Sequence, residues 1–429
     1  MTDGGFNSPT RRRVLQGLAG GVVGGLAAPY VAPALAQNNK PLRIALAVCQ
    51  SGPAGVADHA DYLNGAKMAA DEINAAGGVK GRPFKLEVYD IDILTPEGTQ
   101  TTYRKIAEAK PHASGTAFSL IPLVSFDALS SWKAPHLHGN PTLGGCEAVK
   151  AHPEKYGMIF EVCPPENYYG LMFPRFLETV AAGGVWKPVN NKVHIVREAL
   201  AYNQGIAKAC VAALKTSKFE LAKITDIQFP VQDWGPVMEE LHASGAGSIM
   251  IDHWVGAEEA AFCQTFINDP VKGAMVYLQY GPSQPEFLNL AGEAANGFVW
   301  STVIGAYDDK LGAEFRAKYK KLHPGIMGLC YTANAYDAMH ILKTAWEKAD
   351  PEDLAATNQA IRTTTHRGIC GAYTFEPGMQ AALHYPLQTD DLNKGLAQLF
   401  FQVQGGQHKI IEPTQLAETK FMQAPWMAA

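Results

Sequence analysis

Leu42-Arg43-Ile44-Ala45-Leu46-Ala47-Val48, closed by Ser51-Gly52-Pro53, is the stretch on which the fold turns. Its Leu, Ile and Val content reads as a short β-strand, and the Ser-Gly-Pro turn chemistry ends it. From about Leu63 to Ala75, Ala66, Ala69, Ala70 and Ile73 recur at the spacing of one helix face, until Gly77-Gly78 stops the run. A second strand follows at 84–89. Working outward, the alternation continues with a helix near 99–109, a strand near 114–118, a helix near 124–132 and a strand at His136–His138. This βαβ rhythm predicts a parallel sheet covered by helices.

The rhythm restarts after Pro164-Pro165. Helices are expected at 169–182, 204–216 and 236–244, and strands at 192–196, 223–228 and 248–251. Two successive α/β units of similar length imply two similar lobes. Beyond Gly292 the pattern loosens, then predicts helices at 332–349 and 351–364 and closing strands at 368–375 and 399–403. No low-complexity linker interrupts the chain after its first 36 residues, so the lobes are expected to share a compact hinge.

Composition narrows the function classes. A chain of 429 residues with 47% hydrophobic content exceeds the capacity of one ordinary core and can bury two. Its 36 basic residues against 41 acidic ones lack the basic excess of a nucleic-acid binder. The seven cysteines form no CxxC pair, which excludes a zinc ribbon or thioredoxin-type motif; they read mostly as buried thiols. An oxidising compartment permits disulfides, but an odd count leaves at least one thiol unpaired and the sequence assigns no pairs.

Walker, HExxH, GxSxG and strand-placed GxGxxG motifs do not occur. His136 and His138 alternate on one strand face, yet no third or fourth metal ligand is legible beside them. Asp90 and Asp92 alternate at a strand end, where carboxylates usually meet solvent or cap a loop. No catalytic residue, cofactor or metal is therefore assigned.

The first 36 residues read as an address label. Thr10-Arg11-Arg12-Arg13-Val14-Leu15-Gln16 resembles the twin-arginine export signal, followed by an uncharged stretch and the small-residue site Ala34-Leu35-Ala36. Cleavage before Gln37 is expected. The alternative, a retained membrane anchor, is disfavoured by the glycines and prolines of that stretch.

Several segments carry a further resemblance: Ser51-Gly52-Pro53, Asn64-Gly65-Ala66, Ile73-Asn74-Ala75-Ala76-Gly77-Gly78-Val79-Lys80-Gly81, Tyr89-Asp90, Ala201-Tyr202, Ala291-Gly292-Glu293, Tyr331-Thr332-Ala333-Asn334 and Gly371-Ala372-Tyr373-Thr374-Phe375. In this order they resemble the branched-chain amino-acid binding proteins, the type I periplasmic receptors of ABC importers. The resemblance implies two Rossmann-like α/β lobes with parallel sheets joined by a three-strand hinge. Lobe 1 would comprise 41–160 plus 298–375 and lobe 2 would comprise 161–297 plus 376–429, with crossings near 160, 297 and 376. It also implies a periplasmic, non-enzymatic receptor that takes a small-molecule ligand to a membrane ABC permease after passing the twin-arginine machinery. A ligand sensor of the amide or urea-receptor type is the alternative.

In open parallel sheets, ligands lie beyond the carboxyl ends of the strands, so two facing sheets make a cleft lined by strand-to-helix loops. By the resemblance, Ser119 begins the helix after the third strand, and Asn140 and Thr142 follow the fourth. A helix start would hold a carboxylate or carbonyl oxygen at Ser119, or Ser119 is simply an N-cap. From lobe 2, Tyr202 matches the family's cleft tyrosine, with Asn203 in place of the usual glycine. His253 and Trp254 end one strand and Tyr280 the next, while His59 in the first loop has no clear role. Relatives that bind an α-ammonium group place a carboxylate where Tyr280 stands, and a tyrosine does not neutralise a cation. The expected ligand therefore presents an aromatic, amide or other planar group to Tyr202, Trp254 and Tyr280, with Glu286 the nearest acid in sequence.

Overall fold

The computed structural model describes residues 40–427. The address-label reading falls on residues 1–36 and lies outside them. In the first half, β1 (Leu42–Val48), α1 (Val56–Ala75), β2 (Phe84–Asp90), α2 (Pro96–Ala109) and β3 (Ala113–Thr116) come first. Then come α3 (Pro122–Leu129), β4 (His136–His138), α4 (Leu143–Ala151), α5 (Pro153–Tyr156) and β5 (Ile159–Glu161). These five strands form one sheet in the order β2-β1-β3-β4-β5, parallel throughout. Apart from half-buried Arg43, β1 is buried along its length, as the apolar run requires.

The helix after β1 starts at Val56, earlier than its apolar spacing indicates, because the first turn buries Asp58 and His59, polar residues that a hydrophobic pattern skips. His59 is accordingly a buried helical residue and not a loop residue. The motif at 73–81 has a local physical basis. Asn74 clips the helix end to β2, its Oδ1 accepting from Phe84 N at 2.6 Å and its Nδ2 donating to Phe84 O at 2.9 Å. At Gly78, φ is 71° and a Cβ would lie 2.2 Å from the Arg82 carbonyl oxygen, so glycine is the residue that fits.

The second half continues with α6 (Asn167–Ala182), β6 (Lys192–Glu198), α7 (Ala201–Leu214), β7 (Glu220–Ile227), α8 (Gly235–Ser244), β8 (Ser248–Asp252) and α9 (Gly256–Asn268). It proceeds through β9 (Met275–Leu278), α10 (Phe287–Ala291), β10 (Val299–Thr302), α11 (Lys310–Leu322), α12 (Tyr331–Lys348) and α13 (Leu354–Thr363). Short strands β11 (His366–Arg367), β12 (Ala372–Tyr373), β13 (His384–Tyr385) and β14 (Leu396–Ala397) precede β15 (Leu399–Gln404) and β16 (Gln407–Glu412). The second sheet has the order β16-β15-β10-β9-β8-β6-β7. Its strands from β7 to β10 are parallel, and β15 and β16 add an antiparallel edge. The architecture is the expected α/β fold of two parallel sheets, with an antiparallel margin that the sequence did not reveal.

Three stretches link the two sheets. The chain leaves the first sheet after β5, returns to pack α12 against α1 after β10, and passes back through 380–398. Ala382 N donates to Glu161 O at 3.0 Å, so the last stretch runs beside β5 before β15 joins the other sheet. The segment 368–375 makes only the two-residue strand β12. Its backbone is satisfied by buried Asp337, whose carboxylate accepts from Ile369 N at 2.7 Å, Cys370 N at 2.9 Å and Tyr373 Oη at 2.9 Å. All seven cysteines are buried free thiols. Among the described residues no helix is long and apolar enough to cross a membrane.

Candidate ligand-binding cleft

Both sheets direct loops from their carboxyl ends toward one cavity of about 430 Å³. From the first sheet, the loop after β3 supplies Phe118 and Ser119, and the loop after β4 supplies Asn140 and Thr142. From the second, β6, β8 and β9 lead to Tyr202, Trp254 and Tyr280 respectively. Each sheet reverses its strand order at this end, between β1 and β3 and between β6 and β8, which is where α/β sheets open a crevice. Ser119, Asn140, Thr142, Tyr202, Trp254 and Tyr280 are thus brought together around one space.

The helix starts differ from expectation. Ser119 does not begin α3: Pro122 does, and Ile121 stands at its cap without a side-chain hydrogen bond. Ser119 Oγ instead accepts from Ile121 N at 3.3 Å, a local turn fixed further by Asn140 Nδ2 donating to Ser119 O at 2.7 Å. The N-cap role belongs to Thr142, whose Oγ1 accepts from Gly145 N at 3.1 Å at the start of α4. Two further amides of that helix start are taken by carboxylates of the protein. Thr142 N donates to Glu161 Oε1 at 3.2 Å and Leu143 N to Glu166 Oε2 at 2.5 Å.

Six aromatic residues line the cavity: Phe118, Tyr169, Tyr202, Trp254, Tyr280 and Tyr331. Phe118 meets Trp254 edge-on at 5.9 Å between centroids and Tyr331 at 5.6 Å, and Tyr331 meets Tyr280 at 6.2 Å. Phe118, Trp254, Tyr280 and Tyr331, drawn from both halves, therefore form one continuous set of ring contacts. Their hydroxyls are largely committed: Tyr202 Oη accepts from Gln279 Nε2 at 2.8 Å, Tyr331 Oη donates to Gly139 O at 3.3 Å, and Tyr280 Oη donates to Asp58 Oδ1 at 2.8 Å. The indole N–H of Trp254 is buried and has no hydrogen-bond partner among the described residues.

His253 is placed elsewhere. Its ring is fully buried between two acids, Nδ1 at 2.8 Å from Glu198 Oε2 and Nε2 at 3.0 Å from Glu258 Oε2, outside the cavity lining. Burial opposes its charge, but the hydrogen bonds to the two carboxylates outweigh that and push the pKa up to about 9. This makes His253 a buried imidazolium that ties the end of β8 to β6 and α9. Asn203 serves the same joint: Nδ2 donates to both Asp252 O and Asp252 Oδ1 at 2.9 Å. Glu286 stands at the start of α10 and does not line the cavity either.

Glu166, Tyr169 and Tyr331 line the cleft without having been singled out in the sequence. Glu166 follows Pro164-Pro165, the point where the βαβ rhythm restarts, and that restart was its one available signal. Tyr331 opens α12 inside a family-like segment that periodicity reads only as helix. Glu166 is the sole Asp, Glu, Lys, Arg or His side chain among the lining residues.

A family profile described as "Periplasmic binding protein" matches residues 41–386. A solved structure of a putative branched-chain amino acid ABC transporter protein from Silicibacter pomeroyi superposes with a TM-score of 0.84 at 27% identity, covering 90% of this chain and 100% of that one. A solute-binding protein of an ABC transporter from R. palustris, in complex with benzoate, superposes with a TM-score of 0.69 at 13% identity, covering 90% and 99%. Among curated proteins, the Leu/Ile/Val-binding protein homolog 3 of Brucella melitensis is 22% identical over 298 residues, covering 69% of this chain and 77% of the relative.

Proposed function

The chain belongs to the periplasmic binding protein family, and from that premise we propose that it is the solute-binding component of an ABC importer. One observation carries this reading: residues from the carboxyl-end loops of two separate sheets enclose a single cavity of small-molecule size. The proposed ligand is a small molecule with an apolar or aromatic body, held against Phe118, Tyr202, Trp254, Tyr280 and Tyr331. Ser119, Asn140 and Thr142 offer polar contacts. The named relatives are binding proteins and transporter components, which supports delivery to a permease over turnover or sensing.

The working motion of this proposal is closure of the lobe built on the first sheet against the lobe built on the second, about the three linking stretches; the crossing expected near 297 falls after β10 (Val299–Thr302), which stays in the second sheet. A ligand favours closure only if it contacts both sides of the cleft. Residues 1–36 would direct the chain to the twin-arginine machinery and the periplasm. Mass spectrometry of the small molecule released by denaturing freshly purified protein tests the reading. Recovery of a stoichiometric compound that rebinds stripped protein and lowers its radius of gyration in solution scattering is expected. A compound that is chemically altered by the protein, or binding with an unchanged radius, would count against it.

A further inference from the structure

Glu166 brings a carboxyl group into an otherwise uncharged aromatic cavity. The charge has no cationic neighbour there: no Lys, Arg or His lines the space, and the acid Glu147 lies near enough to disfavour ionisation further. One oxygen, Oε2, accepts from Leu143 N. Among the described residues no side chain donates to the other, Oε1. That oxygen faces α7 at Gly205, where a Cβ would come within 2.7 Å of it. The side chain is thus held in place from one side and left without a counter-ion on the other.

One of the places where a ligand's acid end was expected, the start of α4, is used up by the protein itself. At the start of α4, Thr142 N and Leu143 N are spent on Glu161 and Glu166, and Gly145 N on Thr142 Oγ1. A ligand carboxylate approaching this helix start would find its amides already bound by two protein carboxyl groups. A cation would meet an unneutralised acid in a space lined by six aromatic residues, whose ring faces attract positive charge.

We propose that the cavity selects a small amine, a protonated amino group on an apolar or aromatic body that carries no free carboxylate, with Glu166 as its counter-ion. This assignment rests on the solute-binding reading above. It also revises the expectation that the aromatic side of the cleft rules out an ammonium group: the acid missing at Tyr280 is supplied from the first linking stretch. Burial holds Glu166 up at about 7, with the Leu143 amide opposing that rise and Glu147 adding to it. An arriving cation therefore displaces a proton from a partly protonated carboxyl. The titratable groups that feel Glu166, namely Glu161, Cys146 and Cys163, are raised by burial well above their usual values and stay protonated through this range, as do the cavity phenols Tyr169 and Tyr202.

Calorimetry of ligand-stripped, full-length protein against 2-phenylethylamine, phenylalanine and 3-phenylpropionate provides the test. Phenylethylamine should bind at least tenfold tighter than phenylpropionate, release protons at pH 7 as seen from buffer-dependent heats, and gain affinity from pH 6 to pH 8. Glu166→Gln should weaken phenylethylamine at least tenfold while narrowing the gap to phenylpropionate. Glu166→Asp should keep the preference for the amine. Phenylpropionate as the tightest ligand, affinity falling with pH, or a Glu166→Gln protein that binds the amine undiminished would overturn the assignment. The proton-release measurement uses unaltered protein, so a variant that fails to fold does not shelter the idea. Recovery of a tightly held acid from purified protein would sink the amine assignment and leave the receptor reading standing. Failure of every probe with no co-purifying compound would remove both.

Discussion

The hydroxyl of Tyr280 donates to Asp58 Oδ1 at 2.8 Å, joining the first turn of α1 to the loop after β9 across 222 positions. Gln284 completes the joint: its Nε2 donates to Asp58 Oδ2 at 2.7 Å while its Oε1 accepts from Gly256 N at 2.7 Å. One buried carboxyl group thus holds the helix after the first strand of one sheet to the loop between two strands of the other. The contact lies beside the cavity, because Tyr280 also lines it.

Removing either partner leaves a buried polar group unsatisfied. Tyr280→Phe and Asp58→Ala are each expected to destabilise the protein by about 1–3 kcal/mol. In the double mutant the two losses should fall short of their sum by roughly 1 kcal/mol, since the second change finds no bond left to break. Urea denaturation of the four proteins measures this. Strict additivity would show that the two residues are not coupled.

The same joint predicts a pH dependence. Burial holds Asp58 at about 7 against the hydrogen bonds from Tyr280 and Gln284, and Glu286 raises it further. Asp61, one turn along α1, is likewise held at about 7, by burial first and then by the charge of Asp58. Both folded pKa values lie above the unfolded value of about 3.9. Between roughly pH 4 and pH 7 the folded chain therefore keeps protons that the unfolded chain has lost, and stability falls as the pH rises through that window. The urea midpoint should drop from pH 5 to pH 8, and the slope should be shallower in Asp58→Asn whatever its absolute stability. Identical slopes would place the titration elsewhere.

Gly65 sets how closely α1 approaches α12. A Cβ there would lie 1.9 Å from the Thr332 carbonyl oxygen, which is backbone and has no room to yield. Gly65→Ala is expected to cost about 1–3 kcal/mol as an overpacking change. Gly325→Ala, where a Cβ meets nothing within 4 Å, should stay within about 1 kcal/mol of the unaltered protein. Comparable melting temperatures for the two variants would contradict the close approach.

The proposed export route makes a separate prediction. Replacing Arg11 and Arg12 by lysine should leave the precursor inside the cell, as judged by fractionation and immunoblotting of the full-length chain. Undiminished periplasmic protein in that variant would rule out a twin-arginine requirement.

Much of the fold was legible because its causes are local. The apolar run of β1, the helix stop at Gly77-Gly78 and the Asn74 clip all act within about ten residues, and each leaves a mark in the order of side chains. The positions of Ser119, Thr142, Tyr202, Trp254 and Tyr280 near strand ends were readable for the same reason, since an α/β sheet places its loops by topology. Where polar residues replaced the pattern, the reading failed: α1 begins before its apolar stripe, and 368–375 gives its amides to Asp337 in place of a strand partner.

What the sequence by itself determined is the alternation of strands and helices, which follows from periodicity and turn chemistry along the chain, and, through the resemblance of its motifs in order, the family and the loops expected at the cleft. Only the tertiary structure decided which side chains share a space. His253 is drawn out of the cleft by Glu198, fifty-five positions away, and Asp58 meets Tyr280 over a separation of 222. Glu166 enters the cavity because α4 offers it the amide of Leu143, twenty-three positions before it. Electrostatic partners of that kind are chosen by distance in space, and distance in space is set by how two sheets face one another, which no local pattern of residues records.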